Sequence, residues 1–462
     1  MSQVDVSLAD AEVSVYWLDR ADRPPPREPL SGADRADLVV VGGGFTGLWA
    51  ALLAKQQRPD HDVLLLEANR LGYGGSGRNG GFVSESLTHG LAHGALSWPR
   101  EIDQLVRLGR ENLRAIEKFV LAEGIEADFR LCGRTSVATE PHEVGELSDE
   151  AALYRGHGMA ARFLGAGGVR SDLNSPTYRA GLRLPDAGGL VDPARLTWGL
   201  AATAQRLGVR IHEGSPVRGL HRGSGVLLKT PQGTVRADGV VLGTNAFPAP
   251  LRSIRRRVLP IWDYVLVTEP LSAQQWRSLG WRDRQGITDG ANRFHYYRPT
   301  PDGRILWGGY DAVYYFGGRT DPALARNDAA HHGLARNFFR TFPQLEGLRF
   351  AYRWGGPIDS TTRFTPVFGC DRAIAYAVGY TGLGVAASRF GAQTALDLLW
   401  GEDTERTRLR MVRDKPMPFP PEPLRWPLVQ FTRRALAHAD ANQGRRGRWL
   451  CYLDGRGIGL GS

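Results

Sequence analysis

Lysine is the scarcest charge in this chain. Lys55, Lys118, Lys229 and Lys415 are the only four, although lysine and arginine together number 58 in 462 residues and the formal net charge is +10. Arginine therefore carries the basic excess, and no lysine lies between Lys229 and Lys415. A basic surface favours anions in general and permits weak contact with nucleic acid or a membrane surface. No helix-turn-helix, RNP-type or zinc motif accompanies it, so nucleic-acid binding is not expected as a function. Cysteine is rarer still: Cys132, Cys370 and Cys451 are too few and too scattered for a disulfide framework or a zinc site. No metal centre is expected, and a reducing cytoplasm is the plain inference. The absence of any apolar run of about 18 residues argues against a transmembrane helix. The opening MSQVDVSLADAEVSVYWLDR has neither the basic nor the apolar region of a secretion signal. The remaining composition, 42% hydrophobic and 23% charged, is that of a globular protein long enough for two domains.

Against those absences stands one dense stretch, Asp37 to Glu67. Leu38 to Val41 form an apolar run of the length a buried parallel strand uses. Gly42, Gly44 and Gly47, with Gly43, Phe45 and Thr46 between them, supply G-x-G-x-x-G directly after it. The first glycine permits the tight turn and the second lets backbone approach a pyrophosphate. The third lets helix and strand pack closely, with phosphates at the helix N-terminus. Leu48, Ala51 and Leu52 give that helix an apolar face. A second apolar run, Val63 to Leu66, ends in Glu67 and Ala68, with Glu67 20 positions after Gly47. An acid there accepts hydrogen bonds from a ribose diol. Strand, turn, helix, strand and acid in register predict dinucleotide binding. In a nicotinamide enzyme the next segment would lead to another crossover. Here residues 70–81 read RLGYGGSGRNGG, a glycine-rich loop suited to wrapping a ligand with backbone amides.

Further along, helices are expected near 101–123, 146–165, 193–207 and 326–340. Asp192 and Pro193 are a good N-cap and first residue for the third. Residues 16–19 could form a short helix, and 233–242 alternate like a hairpin. Aromatics concentrate in a strand-rich stretch from Leu259 to Asp311. Arg252, Arg255, Arg256 and Arg257 read first as a solvated face, with contact to an anionic substrate as the rarer use. Gly379, Tyr380, Thr381, Gly382, Leu383 and Gly384 form a second strand–glycine–helix unit, aiming another helix N-terminus at a ligand.

Gly75, Ser76, Gly77, Arg78, Asn79, Gly80 and Gly81 resemble the loop of the D-amino-acid-oxidase-like FAD-dependent amine oxidoreductases, and in particular their glutamylputrescine-oxidase-like branch. The likeness extends in order over roughly 35–400, through GGLVDP at 188–193, VVLGTNA at 240–246, YRWGG at 352–356 and the closing glycines. It implies non-covalent FAD, since no cysteine stands near 359–363, where the sarcosine oxidases attach theirs. It implies an α/β plus α+β architecture, a Rossmann-like FAD-binding domain interleaved with a substrate domain built on an antiparallel sheet. The segments would be an N-terminal extension at 1–34 and FAD-binding parts at 35–100, 186–250 and 351–402. Substrate-domain parts would occupy 101–185 and 251–350, with a surface-packed tail at 403–462. Val217 would lie near the adenine, and Thr244 and Asn245 near the flavin-domain loops.

The chemistry implied is oxidation of a carbon–nitrogen bond in a small-molecule amine, with the flavin doing the electronic work. In a strand at 294–298, His295 and Tyr297 share one face and Phe294, Tyr296 and Arg298 the other. One face would meet the flavin or substrate, and sequence does not say which. His295, Tyr297 and Trp354 are the candidates for catalysis, and Tyr296, Arg298, Trp307 and Tyr310 for substrate binding. Relatives use lysines near the flavin to activate dioxygen and past the closing glycines to hold an α-carboxylate. This chain has Val385-Ala386-Ala387-Ser388 at the second place and no lysine available for the first. The electron acceptor is therefore dioxygen or another molecule, and a simple N-methyl amino acid is disfavoured as substrate. A flavin-binding subunit without turnover, and an NADPH-dependent monooxygenase, are the alternatives. The oligomeric state is open.

Overall fold

The computed structural model describes residues 2–458, so Met1 and the last four residues of the 403–462 tail lie outside the described residues. Two eight-stranded sheets organise the chain. The first runs in the order Val367–Asp371, Ile374–Val378, Gly233–Leu242, Gly32–Val41, Val63–Leu66, Arg210–His212. Its centre is parallel, and Val39 and Val40 are fully buried because helices or packed loops cover both faces. Helix Phe45–Gln57 lies on it and packs against helix Gly384–Trp400, so the two glycine-rich turns open side by side at one end of the sheet. Gly233–Leu242 is a single ten-residue strand rather than a hairpin. Its whole length pairs in parallel with Gly32–Val41, and its first half also carries Gly225–Lys229 antiparallel.

The second sheet runs in the order Phe350–Ser360, Leu259–Thr268, Ile305–Gly309, His295–Pro299, Gly286–Asp289, Arg134–Ala138, Ala180–Leu184, Arg162–Gly165. It is antiparallel except where Gly286–Asp289 meets Arg134–Ala138. The register aligns Trp354, Val265, Gly308 and Tyr296 in one row, and Arg353, Leu266, Trp307 and Tyr297 in the next. Side chains alternate, so the first row points toward the FAD-type domain and the second toward helix Asp328–Thr341. Leu334 and Phe338 of that helix, with Phe342 just past its end, close a dry core with Leu266, Trp307 and Tyr297.

Helices Ile102–Ala122, Pro193–Arg206 and Asp328–Thr341 lie where periodicity places them. The 146–165 region divides into helix Glu143–Gly156 and strand Arg162–Gly165. Residues 16–19 are a turn, not a helix; the short helix is Gln3–Leu8. The tail is more than an appendage. Leu409, Met411 and Val412 are buried in the core of the first domain. Helix Arg425–Ala441 then reaches the substrate sheet, where Asp440 accepts the backbone N–H of Asn292 and Arg293.

Candidate functional site

Close backbone approach builds the first wall. Gly42 has φ +111, and a Cβ there would stand 2.5 Å from the Gly243 carbonyl oxygen. At Gly47 a Cβ would stand 1.8 Å from the Gly42 carbonyl oxygen, so only glycine lets this helix meet its strand. Glu67, at the end of Val63–Leu66, receives the N–H of Gly43 at 2.6 Å on one oxygen and that of Asn69 at 2.8 Å on the other. Burial raises its pKa, opposed by those amides. Ala68 follows in the same bend.

The second wall is the 70–81 loop. Gly75–Arg78 is one helical turn, and the Ser76 hydroxyl accepts the N–H of Phe45, tying the loop to the first glycine turn. Asn79 folds back on Gly75 and Ser76 through its side-chain amide and accepts the N–H of Gly81. Two indoles hold the loop from outside. Trp17 Nε1 donates to the Asn79 carbonyl at 3.0 Å, and Trp354 Nε1 donates to the Arg78 carbonyl at 3.0 Å. Arg298 donates to the carbonyls of Gly81 and Val191 at 3.1 and 2.7 Å. Burial lowers its pKa to about 10, so it stays charged near neutrality. Asn245, at φ 50, places its amide 3.3 Å from where a Gly75 Cβ would be, and Phe247 lies similarly close to Gly74. The Thr244 hydroxyl is buried with no partner among the described residues.

The third wall is the closing glycine motif. Asp359, at the end of Phe350–Ser360, receives the N–H of Gly379 at 2.5 Å and of Tyr380 at 3.2 Å. Its backbone carbonyl receives Thr381 N–H. Burial pushes the Asp359 carboxyl up to about 7. Thr46 donates to the Tyr380 hydroxyl at 3.1 Å, joining the first and last motifs. Gly382 has φ +89, and Leu383 precedes helix Gly384–Trp400.

The floor is the loop-facing row of the second sheet. The Tyr296 ring lies over Gly308, whose Cβ would stand 2.5 Å from the phenol, and its edge meets Gly80. Tyr296 donates to Asp263 at 2.5 Å. The Arg78 stem crosses Gly356, the strand partner of Asp263, while its guanidinium donates to the carbonyls of Tyr73 and Gly355. Ile261, Asp263, Phe294, Tyr296, Gly356 and Ile358 are each half-exposed, whereas Trp262, Tyr264 and Tyr297 on the reverse are buried. This row is therefore the partly exposed side of the sheet.

These positions correct part of the sequence-based assignment. His295, Tyr297 and Trp307 are on the reverse face, so the structure does not bring them to the glycine loop. Tyr297 donates to or accepts from Tyr178 at 2.5 Å inside the core. His295 is held between Asp289 at 2.7 Å and Asn337 at 3.0 Å. Tyr310 stacks on His295 with centroids 5.0 Å apart. Alternation in a strand makes this an all-or-none outcome: placing Tyr296 under the loop sends both its neighbours away. Trp354 and Arg298 do meet the loop, but through its carbonyls, which makes them positioning groups. Val217 is half-buried against the core under Val226 and Leu228, in the segment after Glu213. Sequence reasoning passed over Trp17, Asp263 and Asp359. The signal for Asp263 was a lone acid alternating with Trp262 and Tyr264 inside an apolar strand.

An anion-cradling helix start, an acid at the second strand, a Thr244 hydroxyl without a partner among the described residues and a backbone-lined loop fit FAD, whose pyrophosphate suits the first, ribose the second and flavin the loop. The model of the DAO family, FAD dependent oxidoreductase, matches residues 37–398. The chain belongs to that family, and it is an FAD-dependent oxidoreductase. Within the family it resembles the glutamylputrescine-oxidase-like branch. It is 30% identical to gamma-glutamylputrescine oxidoreductase of Escherichia coli over 85% of this chain and 90% of that one. It is 26% identical to human mitochondrial dimethylglycine dehydrogenase over 65% of this chain and 33% of that one. Among solved structures, glycine oxidase from Geobacillus kaustophilus superposes with a TM-score of 0.67 at 21% identity, covering 80% of this chain and 96% of that one.

Proposed function

We propose that this protein oxidises the carbon–nitrogen bond of a primary or secondary amine, using FAD held without a covalent link. The observation that carries the reading is the glycine loop seated against the substrate sheet, its Gly80 on Tyr296 and its Arg78 stem across Gly356, with the closing glycines held by Asp359 at the end of the same strand. Gly42 to Gly47 would receive the pyrophosphate, Glu67 the ribose, and the 244–245 turn and Val217 the remaining adenosine side. Gly75 to Gly81 and Gly379 to Gly384 would flank the flavin. When bound, FAD supplies the hydride acceptor at its N5 atom. The protein's own part is to seat the amine on the Phe294–Tyr296 face, to keep water from the reacting carbon, and to hold the loop still. Water then converts the released imine to an aldehyde or ketone. The relatives named above support an amine as substrate, and the absence of cysteine at 359–363 supports a non-covalent flavin.

Dioxygen is one candidate acceptor. The lack of any lysine between Lys229 and Lys415 favours a second reading, a dehydrogenase using another acceptor, in the cytoplasm. One experiment tests both. The yellow holoprotein is titrated anaerobically with γ-glutamylputrescine, putrescine, spermidine, sarcosine and glycine, then exposed to air. Bleaching by an amine with rapid recovery and peroxide marks an oxidase. Bleaching with slow recovery marks a dehydrogenase. Bleaching by dithionite alone refutes amine oxidation with this panel and leaves the non-catalytic flavoprotein. Flavin left in the pellet after acid precipitation refutes the non-covalent link.

A further inference from the structure

Asp263 stands in a position that strands normally deny an acid. Its neighbours Trp262 and Tyr264 point into the dry core behind the sheet, and Asp263 alone turns to the loop-facing side. There it lies between Gly356, crossed by the Arg78 stem, and Tyr296, whose hydroxyl it receives. The cations nearby are committed elsewhere. Arg293 pairs with Asp440, His295 with Asp289, and Arg298 serves main-chain carbonyls and Asp128. Arg78 spends its donors on Tyr73 and Gly355. Among the described residues Asp263 thus has a hydroxyl partner but no counter-ion. A partly buried carboxylate in that condition is costly unless a cation joins it. Burial accordingly raises its pKa to about 6, against the pull of Tyr296 and of nearby backbone N–H groups. Around it the surface is aliphatic at Ile261 and Ile358 and aromatic at Phe294 and Tyr296, all half-exposed.

From this geometry we infer that Asp263, steadied by Tyr296, is the counter-ion that docks the substrate's ammonium group beside the glycine loop. The inference rests on the amine reading above and deepens it to a substrate class. The substrate is an alkylammonium whose neighbouring carbons are apolar, and any acidic group it carries lies several bonds from the nitrogen. An α-amino acid is disfavoured because its carboxylate would face Asp263 at short range. The aromatic faces of Phe294 and Tyr296 add attraction for the same cation. Tyr296 keeps one carboxylate oxygen occupied, leaving the other for the ammonium N–H.

The test separates docking from turnover by using a cation that FAD cannot oxidise. 2-Methylhexan-2-amine has no hydrogen on the carbon bearing nitrogen, and 2-methylhexan-2-ol is its neutral counterpart. Each is titrated into the holoprotein, and the displacement of the flavin visible bands gives a dissociation constant. Wild type should bind the amine at least tenfold more tightly than the alcohol. Asp263→Asn should weaken the amine tenfold or more and the alcohol less than twofold, and Tyr296→Phe should weaken the amine to a smaller extent. Asp263→Glu, which keeps the charge, should retain the preference for the amine and stands in should Asp263→Asn fail to hold FAD. A wild type indifferent to charge, or an Asp263→Asn variant that keeps the preference, overturns the inference. If wild type binds the cation selectively while no amine bleaches the flavin, the docking site stands and the proposed reaction fails. If amines bleach wild type and Asp263→Asn alike, the reaction stands and the docking role fails.

Discussion

At the scale of single residues, the glycine loop depends on groups that reach it through its main chain. Trp17 and Trp354 are fully buried and come from segments far apart in the chain, yet each spends its indole N–H on a carbonyl of the same loop. A loop of glycines has little side-chain packing to hold it, so its order must come from partners of this kind. Replacing either indole by phenylalanine keeps most of the apolar packing and removes one buried donor. Each such bond contributes about 1 kcal/mol net. Trp17→Phe and Trp354→Phe should therefore each weaken FAD retention roughly fivefold, given about 1.4 kcal/mol per tenfold change. The check is flavin fluorescence released on dilution. Unchanged retention in both variants would show that the loop is held without them.

At the scale of elements, the strand His295–Pro299, with Phe294 just before it, is anchored by the C-terminal tail. Asp440, on helix Arg425–Ala441, receives the Asn292 side-chain amide at 2.7 Å and two backbone N–H groups from the turn just before the strand. Arg433 of the same helix reaches Asp311 at 2.6 Å, just beyond the neighbouring strand. The tail thus sets the turn that presents the site's floor. Asp440→Ala should raise the KM of whichever amine proves to be the substrate by about tenfold, the loss of one charged hydrogen bond's worth of order, while leaving flavin content unchanged. Steady-state kinetics together with the ratio of flavin to protein absorbance decide it. A loss of flavin without a change in KM would move the tail's role to the other domain.

At the scale of the whole molecule, three acids behind or beside the cofactor loops have raised pKa values: Asp359 to about 7, Asp263 to about 6, and Glu67 in the same direction, each chiefly from burial. An unfolded aspartate titrates near 3.9. Between roughly pH 4 and 7 the native state therefore binds more protons than the unfolded chain. These acids stabilise the fold fully below that window and progressively less as pH rises through it. The melting temperature of the holoprotein should fall from pH 5 to pH 7.5, and Asp359→Asn should flatten the underlying fall in unfolding free energy by up to about 1.4 kcal/mol per pH unit. A scan at fixed ionic strength measures it, and an identical slope in the variant would mean that Asp359 is ionised throughout.

Much of this was readable along the chain, because some constraints are local. The strand–glycine–helix unit at 37–67 must be glycine-rich where backbones meet at 1.8 to 2.5 Å from a would-be Cβ, and that requirement is written into neighbouring positions. The same holds for 75–81 and 379–384, so the cofactor and the order of its segments could be named from sequence. The face of the substrate sheet could not. Period-2 alternation says that Tyr296 and Tyr297 oppose one another, but only the packing of helix Asp328–Thr341 on one side and the glycine loop on the other decides which is which. Trp17, Asp263 and Asp359 gained their roles from partners 62, 33 and 20 positions away. The sequence by itself determined the backbone turns, whose physics is confined to adjacent residues. The tertiary structure alone decided which acid of that strand region lies on the loop-facing side of the sheet, because burial and pairing are properties of what folds against a residue.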